Sequence, residues 1–325
     1  MVDVQSIRGF NYQPGYAFTG ADIWRRFDAE AFERELGRGK KHFPKMNGLR
    51  LWLAWEVYGL GSGAQREAFL DDLDTALGIA ERNGLVVMPV LFNRWHAGAP
   101  DWGGVYLDHF LPNAGWARWG FESWKEYVAA LMNRFGDDPR VFGWDLCNEP
   151  FSYTGREDEP NPQFDLPRHE AAWLEAVYDE CKEQGAEAPL SVGFAFGAQQ
   201  LREYEHLSDI LNFHYYWRGD PESKDDFLRE LDACVDIRER TGKPLISSEA
   251  CWGSLDNAER LRIIEVHLGA LNERDIGWLV YALQHSYVAD LHWPEYGKVT
   301  DPGTLHCVEP DGSLREGHDV INRFF

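Results

Sequence analysis

Eight short apolar runs, each followed by a longer segment with apolar residues at helical spacing, limit this chain more than any other feature of its sequence. The runs cover residues 7–13, 48–55, 85–93, 141–148, 190–196, 210–217, 244–249 and 277–284. Such alternation builds βαβ units, and these units build a parallel sheet. Between the runs, Asp28 is placed to cap a helix that buries Phe32 and Leu36, and Phe69, Leu73, Leu77 and Ala80 share one face that stops at Gly84. Trp124, Val128 and Leu131, then Leu174, Val177 and Cys181, then Phe227, Leu231 and Val235, then Leu261, Ile264 and Leu268 repeat the pattern. The helices after Phe196 and near the end of the sequence are expected to be short.

Eight strand–helix units without a change of composition that marks a linker predict an α/β fold, a single (β/α)8 TIM barrel over residues 1–325. An open doubly wound sheet fits less well, because it usually has fewer strands and a Gly-rich phosphate turn, and neither G-x-G-x-x-G nor G-x-x-x-x-G-K-[ST] occurs. The connections at 94–121, 151–167 and 285–317 are long and rich in Trp, Tyr, His, Gly and Pro. In a barrel they gather on the C-terminal face, where sites are built.

Charge narrows the partners. With 32 Lys and Arg against 54 Asp and Glu, a net charge of −22 repels phosphate backbones and anionic membranes, so no nucleic acid and no membrane partner is expected. The start MVDVQSIRGF has no basic region followed by an apolar stretch, which reads as a cytoplasmic protein or a secreted one whose export signal has been removed. Cys147, Cys181, Cys234, Cys251 and Cys307 are scattered without a Cys-x-x-Cys pair, and reduced structural thiols are expected. The sequence does not address the oligomeric state.

The chemistry is concentrated at two strand ends. "WDLCNEP" places Glu149 at the end of the fourth run, and "KPLISSEACWG" places Glu249 at the end of the seventh, so both carboxylates face one mouth. Two carboxylates across a glycosidic bond can divide the work: a protonated one donates to the leaving oxygen while an ionised one attacks the anomeric carbon.

These stretches carry a resemblance. "WDLCNEP" resembles the Asn-Glu-Pro motif of clan A glycoside hydrolases and "PLISSEA" their nucleophile strand, and the layout is most similar to family 5, the cellulase and mannanase group. The resemblance covers nearly the whole chain. "LRLWLAW" puts Arg50 on the second strand and "NFHYYW" gives His214 and Tyr216 as the family's His-x-Tyr on the sixth, where period two sets both on one face. The resemblance implies that Glu149 is the acid/base, Glu249 the nucleophile and Asn148 a donor to the sugar 2-hydroxyl, with Arg50 and Tyr216 keeping Glu249 ionised and oriented. The family's histidine after strand three falls on His96 or is replaced by Asn93. Its tryptophan at the end of strand eight has no direct counterpart: Trp278 lies near the start of that run, Tyr281, Gln284 and His285 stand at its end, and Trp293 on the loop beyond is a substitute. About half of Trp24, Trp95, Trp102, Trp116, Trp119, Trp217, Trp252 and Trp293 are expected to touch sugar.

The expected activity is retaining hydrolysis of β-linked glycosides, with glucan, mannan, xylan and derived oligosaccharides all open as substrates and no metal or organic cofactor. Transglycosylation through the same intermediate is the alternative. A metal-dependent barrel hydrolase would want His-x-His near the end of strand one, and "GFNYQP" has none. A sugar-binding barrel without activity would be expected to have lost a carboxylate or its support.

Overall fold

A computed structural model describes residues 2–93, 109–110, 123–152, 165–290 and 305–325. Strands β1 (Arg8–Tyr12), β2 (Gly48–Trp52), β3 (Val86–Asn93), β4 (Trp144–Asn148), β5 (Leu190–Phe194), β6 (Ile210–Phe213), β7 (Leu245–Ala250) and β8 (Gly277–Val280) run parallel in chain order. Pairing of Arg8 with Trp278 joins β1 to β8 and closes the barrel. Helices α1 (Gly20–Arg25) and α2 (Ala29–His42) follow β1, and α3 (Trp55–Gly59) and α4 (Gly63–Arg82) follow β2. Among the described residues one α-helix follows each later strand: α5 (Ser123–Phe135), α6 (Leu166–Glu183), α7 (Gly197–Tyr204), α8 (Lys224–Thr241), α9 (Asn257–Glu273) and the short α10 (Tyr287–Asp290). This is the expected (β/α)8 barrel.

The helices form where apolar spacing and caps coincide. Asp28 accepts a hydrogen bond from the Ala31 N–H at 3.0 Å and starts α2, which buries Phe32 and Leu36. Helix α8 buries Phe227, Leu231, Cys234 and Ile237, and Val235, one step round the helix, is only half-buried. The inner face of α9 contains Ile263, Ile264 and Leu268 as well as two polar residues, Arg260 and His267, while Leu261 turns partly outward. All five cysteines are buried thiols. Among the described residues no helix is long and apolar enough to cross a membrane.

Several strands are shorter than the apolar runs that announced them. Trp55 begins α3 instead of extending β2, and Val141 makes only an isolated bridge to Val87 before β4 starts. Strand β6 stops at Phe213, so His214 and Tyr216 lie just beyond it, although the His214 N–H still donates to the Phe194 carbonyl at 2.7 Å. Strand β8 stops at Val280, where bonding divides: the Tyr281 and Leu283 N–H groups still donate to the Ala250 and Asn11 carbonyls at 3.0 and 2.9 Å, but the Ala282 N–H turns to the Leu305 carbonyl at 3.0 Å, the Val308 N–H donates to the Leu283 carbonyl at 2.8 Å, and Gln284 bridges to Val308.

Inside the barrel, chemistry changes with height. Ile7, Met88, Phe142, Ile210, Ile246 and Leu279 form an apolar plug toward the strand starts. Two residues further along their strands, Asn212 follows Ile210 and Ser248 follows Ile246, and these join Asn11, Arg50 and Asp145 in a buried polar layer. The site rises from that layer.

Candidate active site

Arg50 is the centre of the polar layer. It is fully buried, and all five of its N–H donors are used: Nε and Nη2 donate to Asp145 Oδ2 at 3.0 and 2.8 Å, Nη2 also to Asn148 Oδ1 at 2.7 Å, and Nη1 to Asn11 Oδ1 at 3.0 Å and to Glu249 Oε1. Burial alone would lower the guanidinium pKa; Asp145 and then Glu249 outweigh it and hold it above its ordinary value. Arg50 therefore stays charged and bridges the strands that carry the two glutamates.

Irregularities in β4 and β7 aim the carboxylates. Asp145 and Asn148 are three apart, and strict alternation would send them to opposite faces, yet both bond Arg50. The β4–β5 register shifts between them, and the β7–β8 register shifts between Ser247 and Ala250, around Glu249. Glu149 then leaves β4 with φ of 51°, in the left-handed region that a glutamate seldom occupies, and its N–H donates to the Gly193 carbonyl at 2.8 Å. Gly193 also donates to Asp145 Oδ1 at 3.0 Å, and a Cβ there would stand 2.8 Å from both Asp145 Oδ2 and His214 Nε2. Only glycine fits under the histidine.

Above this layer the carboxylates converge. Glu149, His214 and Glu249 each present a donor atom within 4.8 Å of the other two. His214 Nδ1 lies 3.1 Å from Glu149 Oε1 and 3.8 Å from Glu249 Oε2, and its Nε2 is 2.8 Å from the Ser248 hydroxyl. Tyr216 donates to Glu249 Oε2 at 2.8 Å. Burial pushes the Glu149 carboxyl up to about 7; Arg50 opposes that shift and Asp145 adds to it. Burial also lowers His214 to about 4, so the ring is neutral at pH 7, and burial followed by Glu249 holds the Tyr216 hydroxyl well above its ordinary range, as a donor. Burial pushes the Cys251 thiol up to about 12, which leaves it almost no thiolate.

The trio is the one group of at least three candidate metal donors among the described residues. Its chemistry suits protons better than a divalent ion. Both ring nitrogens of His214 already face partners, and an ion on Glu249 would sit beside the fixed charge of Arg50.

The structure therefore brings together Arg50, Asn148, Glu149, His214, Tyr216 and Glu249. Asn93, at the end of β3, joins them by accepting from Asn148 Nδ2 at 3.0 Å. Trp252 stands beside Tyr216 with ring centroids 5.2 Å apart, and Arg218 covers one of its faces at 4.2 Å. Gln284 is buried past β8 and makes no hydrogen bond to the network among the described residues. His96 and Trp293, with Trp95, Trp102, Trp116 and Trp119, lie outside the described residues. Trp278 packs on Phe325 outside the barrel, away from the mouth, and Tyr281 occupies the exit of β8, accepting from Gln13 Nε2 at 3.0 Å. Asp145, Asn11, Ser248 and Gly193 were not singled out from the sequence. The available signal was an aspartate and an asparagine inside apolar barrel strands, where each needs a buried partner.

The fold has known counterparts. The exo-β-1,4-mannosidase Op5Man5 from an Opitutaceae bacterium superposes with a TM-score of 0.72 at 17% identity, covering 97% of this chain and 58% of that one. An endo-1,4-β-mannanase from Rhizomucor miehei superposes at 0.67 and 17% identity over 98% and 93%. The solved structures that match include a family 5 mannosidase. The fold is that of family 5 glycoside hydrolases. In sequence, a probable mannan endo-1,4-β-mannosidase C from Aspergillus terreus is 22% identical over 295 residues, 74% of this chain. The chain spans 66% of that protein's length and 24% of two other fungal proteins described as probable mannan endo-1,4-β-mannosidases. No family model matches the chain.

Proposed function

We propose that this protein is a retaining glycoside hydrolase of family 5 type, acting on β-linked sugars, with β-1,4-mannosides first among its substrates. The observation that carries the proposal is the approach of Glu149 and Glu249 oxygens to within 4.8 Å. A gap near 5 Å suits direct attack by one carboxylate, whereas inversion needs about 6.5–9.5 Å to admit a water between them. The mannosidase and mannanase names of its structural and sequence relatives support the choice of sugar.

The reaction has two steps. A Glu249 oxygen forms a bond to the anomeric carbon as the bond to the leaving oxygen breaks, and the Glu149 proton passes to that oxygen. Glu149, now a carboxylate, takes a proton from water; the water oxygen bonds to the anomeric carbon, and the bond to Glu249 breaks. Asn148, braced between Arg50 and Asn93, donates to the sugar 2-hydroxyl. Such a contact, strengthening in the transition state, contributes several kcal/mol. Neutral His214 supports Glu149 through either charge state, and Tyr216 and Arg50 compensate the charge of Glu249.

Chromogenic β-glycosides and β-mannan identify the substrate. On it, Glu249→Ala is expected to lose more than about a thousandfold in kcat and to regain turnover with azide, releasing an α-glycosyl azide. Turnover by Glu249→Ala at the wild-type rate contradicts the proposal.

A further inference from the structure

Helix α9 holds the exit of β7 through two polar residues one heptad apart. Cys251, two residues after Glu249, has φ of 71°, a left-handed conformation that a non-glycine residue holds only when its surroundings enforce it. Its peptide groups are held from both sides. The Cys251 N–H donates to His267 Nδ1 at 3.1 Å, and the Cys251 carbonyl accepts from Arg260 Nη1.

Arg260 reaches further than that residue. Nη1 also donates to the Trp252 carbonyl, and Nη2 donates to the carbonyls of Tyr281 at 3.1 Å and Leu305 at 2.8 Å. One fully buried guanidinium thus ties together the chain after β7, the chain after β8 and the segment at Leu305. No carboxylate among the described residues pairs with it, and its charge is met by those carbonyl oxygens and by the Cys307 thiol. A buried charge without a counterion is costly, and such departures are usually found where function needs them. His267 touches the same region a second way: its ring meets Tyr216 edge-on with centroids 6.4 Å apart, and Tyr216 donates to Glu249.

We propose that Arg260 and His267 are positioning residues, through which α9 sets the carboxylate of Glu249 and the rings of Trp252 and Tyr281 as one unit. This inference rests on the hydrolase reading given above. Displacing a reacting group by about 1 Å can cost a hundredfold in rate, and rotation of the Cys251 peptide moves both Glu249 and Trp252. Lysine cannot replace the planar fork that reaches four carbonyls in three segments.

The test measures kcat and KM of folded Arg260→Lys, His267→Leu and His267→Asn on the chromogenic β-glycoside best used by the wild type, with thermal unfolding of each variant alongside. Arg260→Lys and His267→Leu are expected to lose 10- to 100-fold in kcat, with KM changing less. His267→Asn, which keeps an acceptor near the Nδ1 position, is expected to recover most of that loss. A merely structural role predicts lower unfolding temperatures with kcat and KM within twofold of wild type, and that result overturns the inference. Should Arg260→Lys fail to fold, the His267 pair decides alone. A wild type without turnover on any β-glycoside contradicts the hydrolase reading itself, whereas an active wild type with unaffected variants contradicts only the role of α9.

Discussion

At Glu149 a single proton decides how the proposed reaction begins. Burial holds this carboxyl at about 7, so it is largely protonated in weakly acidic solution and able to donate. As pH rises through that value the donor is lost, and kcat/KM is expected to fall with a one-proton limb near pH 7. Glu149→Gln removes the donor: a rate loss of about 100- to 10,000-fold is expected for glycosides with poor leaving groups, with little loss for dinitrophenyl glycosides. Comparing the two substrate types across pH checks both expectations. An unchanged alkaline limb in Glu149→Gln assigns the proton to another group. Of the six residues the structure gathers here, Asn148, Glu149, His214, Tyr216 and Glu249 lie at or near the ends of apolar runs, while Arg50, early in the second run, was legible only through the family resemblance. Asp145 was not legible. Its contact with Arg50 alongside Asn148 contradicts the alternation rule, and only the register shift in β4 reconciles them.

Elements were legible where period and caps agree, as in α2 and α4, and less so where tertiary pairing overrides the local pattern. The apolar run after Val280 reads as strand through Gln284, but its backbone divides its bonds between the flanking strands and the Leu305–Val308 segment. The polar face of α9 was hidden for a related reason: Arg260 and His267 lie on a surface that periodicity assigns to the core. Helix α3 was also unforeseen, because Trp55 extends an apolar run, and it contains a buried carboxyl, Glu56, whose oxygens meet no hydrogen-bond donor from another residue among the described residues. Burial pushes Glu56 up to about 7, with its own backbone N–H and then nearby Arg25 only partly opposing it. The folded state then binds a proton more tightly than the unfolded chain, so this residue's contribution to stability declines as pH rises from about 4.5 through 7. Urea unfolding is expected to show wild-type protein losing up to about 3 kcal/mol between pH 5 and pH 8 that Glu56→Gln does not lose. Parallel pH profiles for the two proteins contradict this account of α3.

Across the whole molecule, stability and chemistry occupy opposite ends of the barrel. The closed topology was legible from the count and order of strand–helix units. The plug and the outer packing beside it hold the strand starts: Phe325 lies against Trp278 at 5.3 Å, Phe43 at 6.3 Å and Phe10 at 6.4 Å between ring centroids. Phe325→Ala is expected to destabilise the fold by about 2 kcal/mol while leaving kcat of the folded protein unchanged. Calorimetry with parallel rate measurements tests that separation, and a matching fall in kcat contradicts it. The sugar was not legible, because it is chosen by connections whose shape no local pattern encodes. In the proposed mechanism Glu249 bonds covalently to the sugar with Glu149 as its proton partner. Incubation with a 2-deoxy-2-fluoro-β-glycosyl fluoride of the matching sugar, followed by peptide mass mapping, tests it most directly. A single adduct on Glu249 is predicted; an adduct on any other residue, or none on a protein that turns the parent glycoside over, contradicts it.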